Sequence, residues 1–310
     1  MEQSSSDKKI ILDNDFRSGF VTICGLPNVG KSTLLNSLLN TNLSIVSPKP
    51  QTTRYHLKGI LTKKNYQIVF IDTPGYLKPS NHLEKIMKNE ATRAIKDDAD
   101  IIILLAEPDI NEFEKKIDFF QFLSKINKPL LIAINKIDIY EEKLRNDFKE
   151  KLKSIFGENR EIIEISALKK INTDILLKKI IELLPKSPPY YYDNILSDRW
   201  ERYFVSEIIR EKIFNLYHDE IPYSTAVEIV EFRENEDPIY IYANIYVSKK
   251  SHKPIIIGKD GNAIYKLRTQ AQKSIEEFLN KKVKLELFVK VRENWMDDPL
   301  FLNNLIGDYK

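Results

Sequence analysis

Short apolar runs alternate with amphipathic stretches along the first 184 residues. Phe20–Cys24, Tyr66–Ile71, Ile101–Leu105, Leu130–Ile134 and Glu161–Ile165 are brief, Ile/Leu/Val-rich segments, which predicts five strands. Lys31–Leu39, Leu83–Lys96, Asn111–Ile126 and Glu141–Phe156 carry apolar residues at helical spacing and predict the helices between them. This alternation predicts an α/β domain, a mostly parallel sheet with helices on both faces. Strands without polar alternation fit burial on both sides.

The segment LPKSPPYYY at 184–192 ends that rhythm. Pro185, Pro188 and Pro189 cannot continue a helix and favour extended chain, so 185–196 reads as a linker. Beyond it the order of elements changes. Arg199–Leu216 is helical, with Phe204, Ile208 and Ile209 on one face; Ala226–Glu231 and Ile239–Val247 alternate like antiparallel strands; Asn262–Leu279 is a helix and Val283–Val291 a strand. These predict a small α+β domain over 197–310. Residues 1–17 are polar and read as a flexible tail, leaving 18–184 for the first domain.

At 310 residues, two domains are the expectation, and 42% hydrophobic residues suffice for two cores. Charge is nearly balanced, 48 Lys and Arg against 45 Asp and Glu, so its distribution matters more than its sum. The single cysteine, Cys24, excludes an intramolecular disulfide framework and a cysteine-based zinc site. The four histidines, His56, His82, His218 and His252, are scattered without metal-ligand spacing. The N-terminus has no signal-peptide pattern and no apolar run approaches bilayer length, so a soluble, cytoplasmic protein is expected.

The strongest chemical signal is Gly25-Leu26-Pro27-Asn28-Val29-Gly30-Lys31-Ser32, followed by Thr33: GxxxxGK[ST] between a strand and a helix. Such a loop cradles phosphates with backbone N–H groups at a helix N-terminus. Lys31 would reach the β and γ phosphates, and Ser32 would give its hydroxyl oxygen to Mg²⁺. Further on, Asp72-Thr73-Pro74-Gly75 closes a strand; Asp72 suits a water-mediated metal contact and Gly75 a γ-phosphate contact. Asn135-Lys136-Ile137-Asp138 follows the fourth strand. Asp138 can accept two hydrogen bonds from the guanine ring N–H and amino group, whereas adenine would leave it unpaired. Asn135 would contact the base edge and brace the phosphate loop, and the Lys136 stem would cover a base face. Ser166-Ala167, with Leu168 next, would offer backbone N–H to the guanine oxygen. Four boxes in this order read as a GTP-binding signature.

Between the first two boxes lies Ser47-Pro48-Lys49-Pro50-Gln51-Thr52-Thr53-Arg54. A threonine here can close over the γ phosphate and Mg²⁺ only while that phosphate is present, which makes a switch. Thr53 is the first choice, Thr52 the second. Where many GTPases carry a water-orienting glutamine after DxxG, this chain has Tyr76, so either slow intrinsic turnover or a water held by backbone, ion or partner is expected.

In the second domain, Ile257-Gly258-Lys259-Asp260-Gly261 supplies a GxxG loop before a helix, the loop by which KH modules hold unpaired nucleotides. Between Lys249 and Lys290 stand eleven Lys and Arg, among them Lys250 and Lys266, against four acids. That stripe fits a nucleic-acid footprint.

With GLPNVGKSTLLN, SPKPQTTRYH, DTPG, NKID, ISA, EIPYSTAVEI, IIGKDG and LELFVKVRENWMDD assembled, the chain resembles the Era family of bacterial GTPases, within the TrmE–Era–EngA group. The double-GTPase Der family carries two phosphate loops where this chain has one. The resemblance implies a P-loop GTPase domain followed by a type II KH domain, and hydrolysis of GTP to GDP with Mg²⁺. It implies binding to the 3′ end of 16S ribosomal RNA and action in assembly of the 30S subunit, as a monomer, with peripheral association at the inner membrane. It assigns the catalytic positions to Lys31, Thr53, Asp72, Gly75 and Asn28; Asn28 resembles an asparagine that holds K⁺ in related bacterial GTPases. Two other classes stay open from the residues alone: a constitutive RNA-binding protein with structural GTP, and a membrane-associated signalling GTPase.

Overall fold

The computed structural model describes residues 15–47, 49, 52–76, 78–234 and 237–307. Residues 1–14 of the expected tail, Pro48, Pro50 and Gln51 of the expected switch, and 308–310 lie outside the described residues. The first half builds a sheet from β1 (Arg17–Cys24), β2 (Leu57–Lys63), β3 (Tyr66–Asp72), β4 (Ile101–Ala106), β5 (Leu130–Ile134) and β6 (Ile162–Glu164), in the order β2-β3-β1-β4-β5-β6. All neighbours are parallel except β2, which pairs antiparallel with β3. From β1 the chain winds outward to β3 and then returns past β1 to β4. Loops therefore diverge at the C-terminal end of β1, the place where open α/β sheets bind ligands.

The helices are α1 (Lys31–Leu39), α2 (His82–Arg93), α3 (Ile110–Lys115), α4 (Ile117–Ser124), α5 (Glu142–Phe156) and α6 (Thr173–Leu183). The stretch expected as one helix at Asn111–Ile126 is two, broken at Lys116, whose φ of −118° and ψ of 22° leave helical space. The break turns α4 so that the consecutive Phe119 and Phe120 are both buried, as is Phe113 on α3. The helix expected through Lys96 ends at Arg93 and widens into a π turn over Ala94–Asp98, where the Ala94 carbonyl accepts from Thr22 Oγ1 at 2.8 Å. β2 was not anticipated: its sequence LKGILTK offers no unbroken apolar run, because an edge strand needs few buried side chains.

Both ends of this half are tied more closely than composition suggested. Arg17 lies in β1 rather than in a tail, paired with Tyr66, and its guanidinium reaches the carbonyls of Glu182 and Leu184. The proline-rich segment is a strap across the sheet edge: the Gln67 side chain accepts from Tyr190 N and Tyr191 N and donates to the Tyr191 carbonyl. The Tyr190 ring packs on Phe20 at 4.7 Å, and Leu196 O accepts from Ile60 N at 2.9 Å.

The second half has α7 (Glu201–Leu216), β7 (Thr225–Arg233), β8 (Ile239–Val247), α8 (His252–Ile257), α9 (Asn262–Leu279), β9 (Val283–Val291) and α10 (Pro299–Gly307). β7 pairs antiparallel with β8 and β8 pairs parallel with β9, an α-β-β-α-α-β arrangement. Val205, Ile209 and Ile213 of α7 and Leu267, Ala271 and Ile275 of α9 pack on Ile241, Ala243 and Ile245 of β8. A second set, Tyr203, Phe204, Trp295, Phe301, Leu302 and Leu305, joins instead the core of the first half. The two halves thus share an apolar seam.

Candidate functional site

A cavity of about 840 Å³ opens at the C-terminal end of β1. Its walls include Leu26 to Thr33 from the first box, Thr52 and Thr53, Gly75 and Tyr76, Asn135, Lys136 and Asp138, and Ser166 and Leu168. The sequence motifs, spread over 144 positions, therefore meet in one place. Asn28 stands in the left-handed region at φ 64° and Gly30 at φ 95°. A side chain at Gly30 would also meet Asn135 Nδ2 at 2.4 Å, so only glycine lets the loop approach the Asn135 turn. α1 begins at Lys31, which aims the helix N-terminus at the cavity.

The Lys31 ammonium is buried and donates to the carbonyls of Leu26 at 2.9 Å and Gly25 at 3.3 Å. Burial pulls its pKa down to about 8, against the opposing charge of Asp72. Asp72 is wholly buried, and burial raises its carboxyl while Lys31 and three hydroxyls act the other way. Those hydroxyls are Ser32 Oγ at 2.8 Å, Ser44 Oγ at 3.0 Å and Thr53 Oγ1 at 3.4 Å from Oδ2. Ser32 and Thr53 are also 2.9 Å apart. Asp72 Oδ1 is buried with no hydrogen-bond partner among the described residues. Hydroxyl oxygens gathered on one oxygen of a carboxylate whose other oxygen is orphaned make a hard donor set that fits a divalent cation such as Mg²⁺. Ser44 escaped the sequence reading, since a lone serine in a polar loop carries no signal of its own.

Asn135 joins two boxes: Nδ2 donates to Val29 O at 2.7 Å and Oδ1 accepts from Ala167 N at 2.9 Å. That second bond ties the Ser166-Ala167 turn to the same side chain. Ala167 N–H donates to Asn135 and Ser166 N–H to the Ile171 carbonyl at 3.1 Å. Leu168, exposed and lining the cavity, remains at that turn. Lys136 has left-handed φ, and Glu107 holds its ammonium at 2.6 Å while also accepting from Tyr140. Glu107 was missed, since its partners are far away in sequence. Asp138 is exposed at the rim of the cavity. Thr73 is buried, its hydroxyl donating to Ile23 O at 2.9 Å, so it braces β1 with the equally buried Pro74 beside it. The Tyr76 ring stacks on Phe119 at 4.6 Å.

In the second half, α8 ends at Gly258 and α9 begins after Gly261. Gly258 has φ 74°, and a Cβ there would lie 2.5 Å from Ala263 Cβ. Gly261 has φ 77° in open space. Lys259 and Asp260 are exposed at the tip and Ile257 is half-buried behind them; Lys249, Lys250 and Lys266 are exposed nearby. Arg268 lies over the Tyr265 ring, which is itself exposed. This surface offers backbone, cations and an aromatic face to a strand of nucleic acid.

Known proteins share both halves. Residues 20–136 match a family described as 50S ribosome-binding GTPase, and residues 220–296 match the KH domain. The chain is 44% identical over 293 residues to GTPase Era of Clostridium botulinum strain Hall, covering 94% of this chain and 98% of that protein. It is 44% identical over 285 residues to GTPase Era of Elusimicrobium minutum, covering 91% and 94%. Among solved structures, an Aquifex aeolicus Era variant bound to GDP and AlF4⁻ superposes with a TM-score of 0.88 at 36% identity, covering 94% of this chain and 99% of that one. Era in complex with MgGDPNP and nucleotides 1506–1542 of 16S ribosomal RNA superposes with 0.86 at 36% identity, covering 94% and 98%.

Proposed function

The chain belongs to the Era family of GTPases, and from that premise we propose that it is a GTP-driven switch that grips the single-stranded 3′ end of 16S ribosomal RNA on its GxxG loop during 30S assembly. The convergence of Thr53 with Ser32 on Asp72 carries the reading. A loop threonine placed there can complete the oxygen set around a phosphate-bound Mg²⁺, which is what a switch that reads the γ phosphate requires.

Lys31 neutralises charge on the β and γ phosphates, and the amides of the phosphate loop and Gly75 orient them. Ser32 and Thr53 would hold Mg²⁺ directly and Asp72 through water. When bound, the ion supplies Lewis-acid stabilisation of the phosphate oxygens. Asp138 selects guanine, with Lys136 held over the base by Glu107. Water attacks the γ phosphorus in line, the bond to the β–γ bridging oxygen breaks, and GDP and phosphate leave. Tyr76 is stacked on Phe119, so the attacking water is placed by backbone, by a K⁺ held at Asn28, or by the RNA-bound partner. The protein acts as a monomer in the cytoplasm, with peripheral contact at the inner membrane. Among the described residues no helix is long and apolar enough to cross a membrane.

The test is the affinity for an RNA copying the 16S 3′ end, at fixed salt, with a GTP analogue or with GDP. Tight binding only with the analogue, lost in Gly258→Asp, supports the switch. Equal binding in both states overturns it in favour of a constitutive RNA binder. Binding in neither state points to a protein or membrane partner.

A further inference from the structure

The residue after Thr53 is anchored in the other half of the molecule. Arg54 is buried. Its guanidinium donates to the carbonyls of Thr225 at 2.6 Å, Tyr223 at 3.0 Å and Pro222 at 3.4 Å, and lies 5.4 Å over the Trp295 ring. All four partners belong to the KH half. A guanidinium has its donors in a rigid fork, so several acceptors at once fix its direction as well as its place. Its neighbour Thr53 is one peptide unit away, about 3.8 Å between Cα atoms. The Thr53 backbone is therefore held beside the Ser32–Asp72 cluster, and moves far from it only if the Arg54 anchor yields or the 222–225 segment moves with it.

The acceptor segment continues toward the GxxG loop. The Ser224 carbonyl accepts from Trp295 Nε1 at 3.0 Å, and Ser224 Oγ meets His252 Nδ1 at 3.0 Å. His252 is the first residue of α8, the helix that ends at Gly258.

We propose that Arg54 is a positioning residue for hydrolysis, through which the KH half sets the place of Thr53, and that Ser224 and His252 extend the same linkage to the GxxG loop. The second part rests on the RNA-binding reading above; the first does not. Two sites biasing one shared element must be coupled reciprocally. Here the element is the 222–225 segment, gripped by Arg54 on one side and by His252 on the other.

The experiment compares wild type with Arg54→Lys, Arg54→Ala and Ser224→Ala. It measures single-turnover GTP hydrolysis, the Mg²⁺ concentration for half-maximal rate, GDP affinity, and the ratio of RNA affinities with GTP analogue and GDP. Arg54→Lys keeps the charge and loses the fork. It is expected to slow hydrolysis about tenfold and raise the Mg²⁺ requirement while GDP affinity stays within about twofold, because GDP does not call on Thr53. Ser224→Ala is expected to leave hydrolysis unchanged and to bring the RNA affinity ratio toward one. Unchanged hydrolysis and Mg²⁺ requirement in both Arg54 variants would overturn the positioning role, as would a parallel loss of GDP affinity, the mark of a purely structural residue. An RNA ratio unmoved by Ser224→Ala would overturn the extension. Absence of RNA binding in wild type would refute the proposed function and the extension together, with the positioning role still decided by the hydrolysis data.

Discussion

Asn135 Nδ2 lies 2.7 Å from the Val29 carbonyl, so the turn that faces the base and the loop that faces the phosphates share one hydrogen bond. The same side chain receives Ala167 N–H, so three nucleotide boxes hang on a single buried amide. Removing it orphans a buried carbonyl and a buried N–H, each costing about 1–3 kcal/mol. Asn135→Ala is therefore expected to weaken GTP and GDP alike by about thirtyfold or more. Titration with a fluorescent guanine nucleotide checks it, and a change confined to GTP would contradict the account.

In the proposed function, guanine specificity rests on Asp138 at the cavity rim. Asp138→Asn replaces an acceptor with a side chain that also donates. Guanine then meets a donor opposite its own amino group, whereas xanthine, with a carbonyl there, finds a partner. GTP affinity is expected to fall by about two orders of magnitude or more while XTP affinity rises. Competition between the two nucleotides measures the exchange, and equal losses for both would place recognition elsewhere.

The two glycines of the GxxG loop are not equivalent. Both need left-handed backbone, but only Gly258 faces a neighbour, Ala263, that a Cβ would strike. Gly261→Ala should cost about 1–2 kcal/mol of backbone strain. Gly258→Ala should cost more and displace α9 against α8, abolishing RNA binding with hydrolysis retained. Thermal melts and RNA affinity on the two variants separate the cases; the reverse ranking would show that the clash is relieved without cost.

Much of this was visible along the chain, and what was not has a common cause. α1, β5, β8, β9 and α9 begin and end where periodicity placed them, since each carries its own burial pattern. The nucleotide motifs were legible because phosphate and guanine chemistry demands particular residues at short spacing. β2 was hidden because lysine, glycine and threonine interrupt its apolar residues, and only three of its seven positions are buried. Arg54, Glu107 and Ser44 were hidden because their roles come from partners 171, 29 and 28 positions away. The bond from Ala167 to Asn135 was hidden for the same reason: the two lie 32 positions apart.

Lys31 gives a prediction with a definite sign. Burial holds its pKa at about 8 in this fold, below the ordinary lysine value, so the folded protein gives up that proton more readily than the unfolded chain. Between pH 8 and the ordinary lysine range the unfolded chain binds more protons, and the Lys31 contribution to stability rises with pH. Phosphate oxygens beside the ammonium favour its charged form and raise the pKa again. Nucleotide binding at about pH 8.5 must then take up a proton, and at about pH 6.5, where Lys31 is already charged, it takes up little. Cys24, the buried thiol whose charge interacts with Lys31, is pushed to about 12 by burial and does not titrate in this range. Calorimetry of GDP binding in buffers of different ionisation enthalpy reads the uptake directly. Heats that depend on buffer at pH 8.5 with the sign of proton uptake are expected; heats independent of buffer would mean that Lys31 is fully charged before the nucleotide arrives.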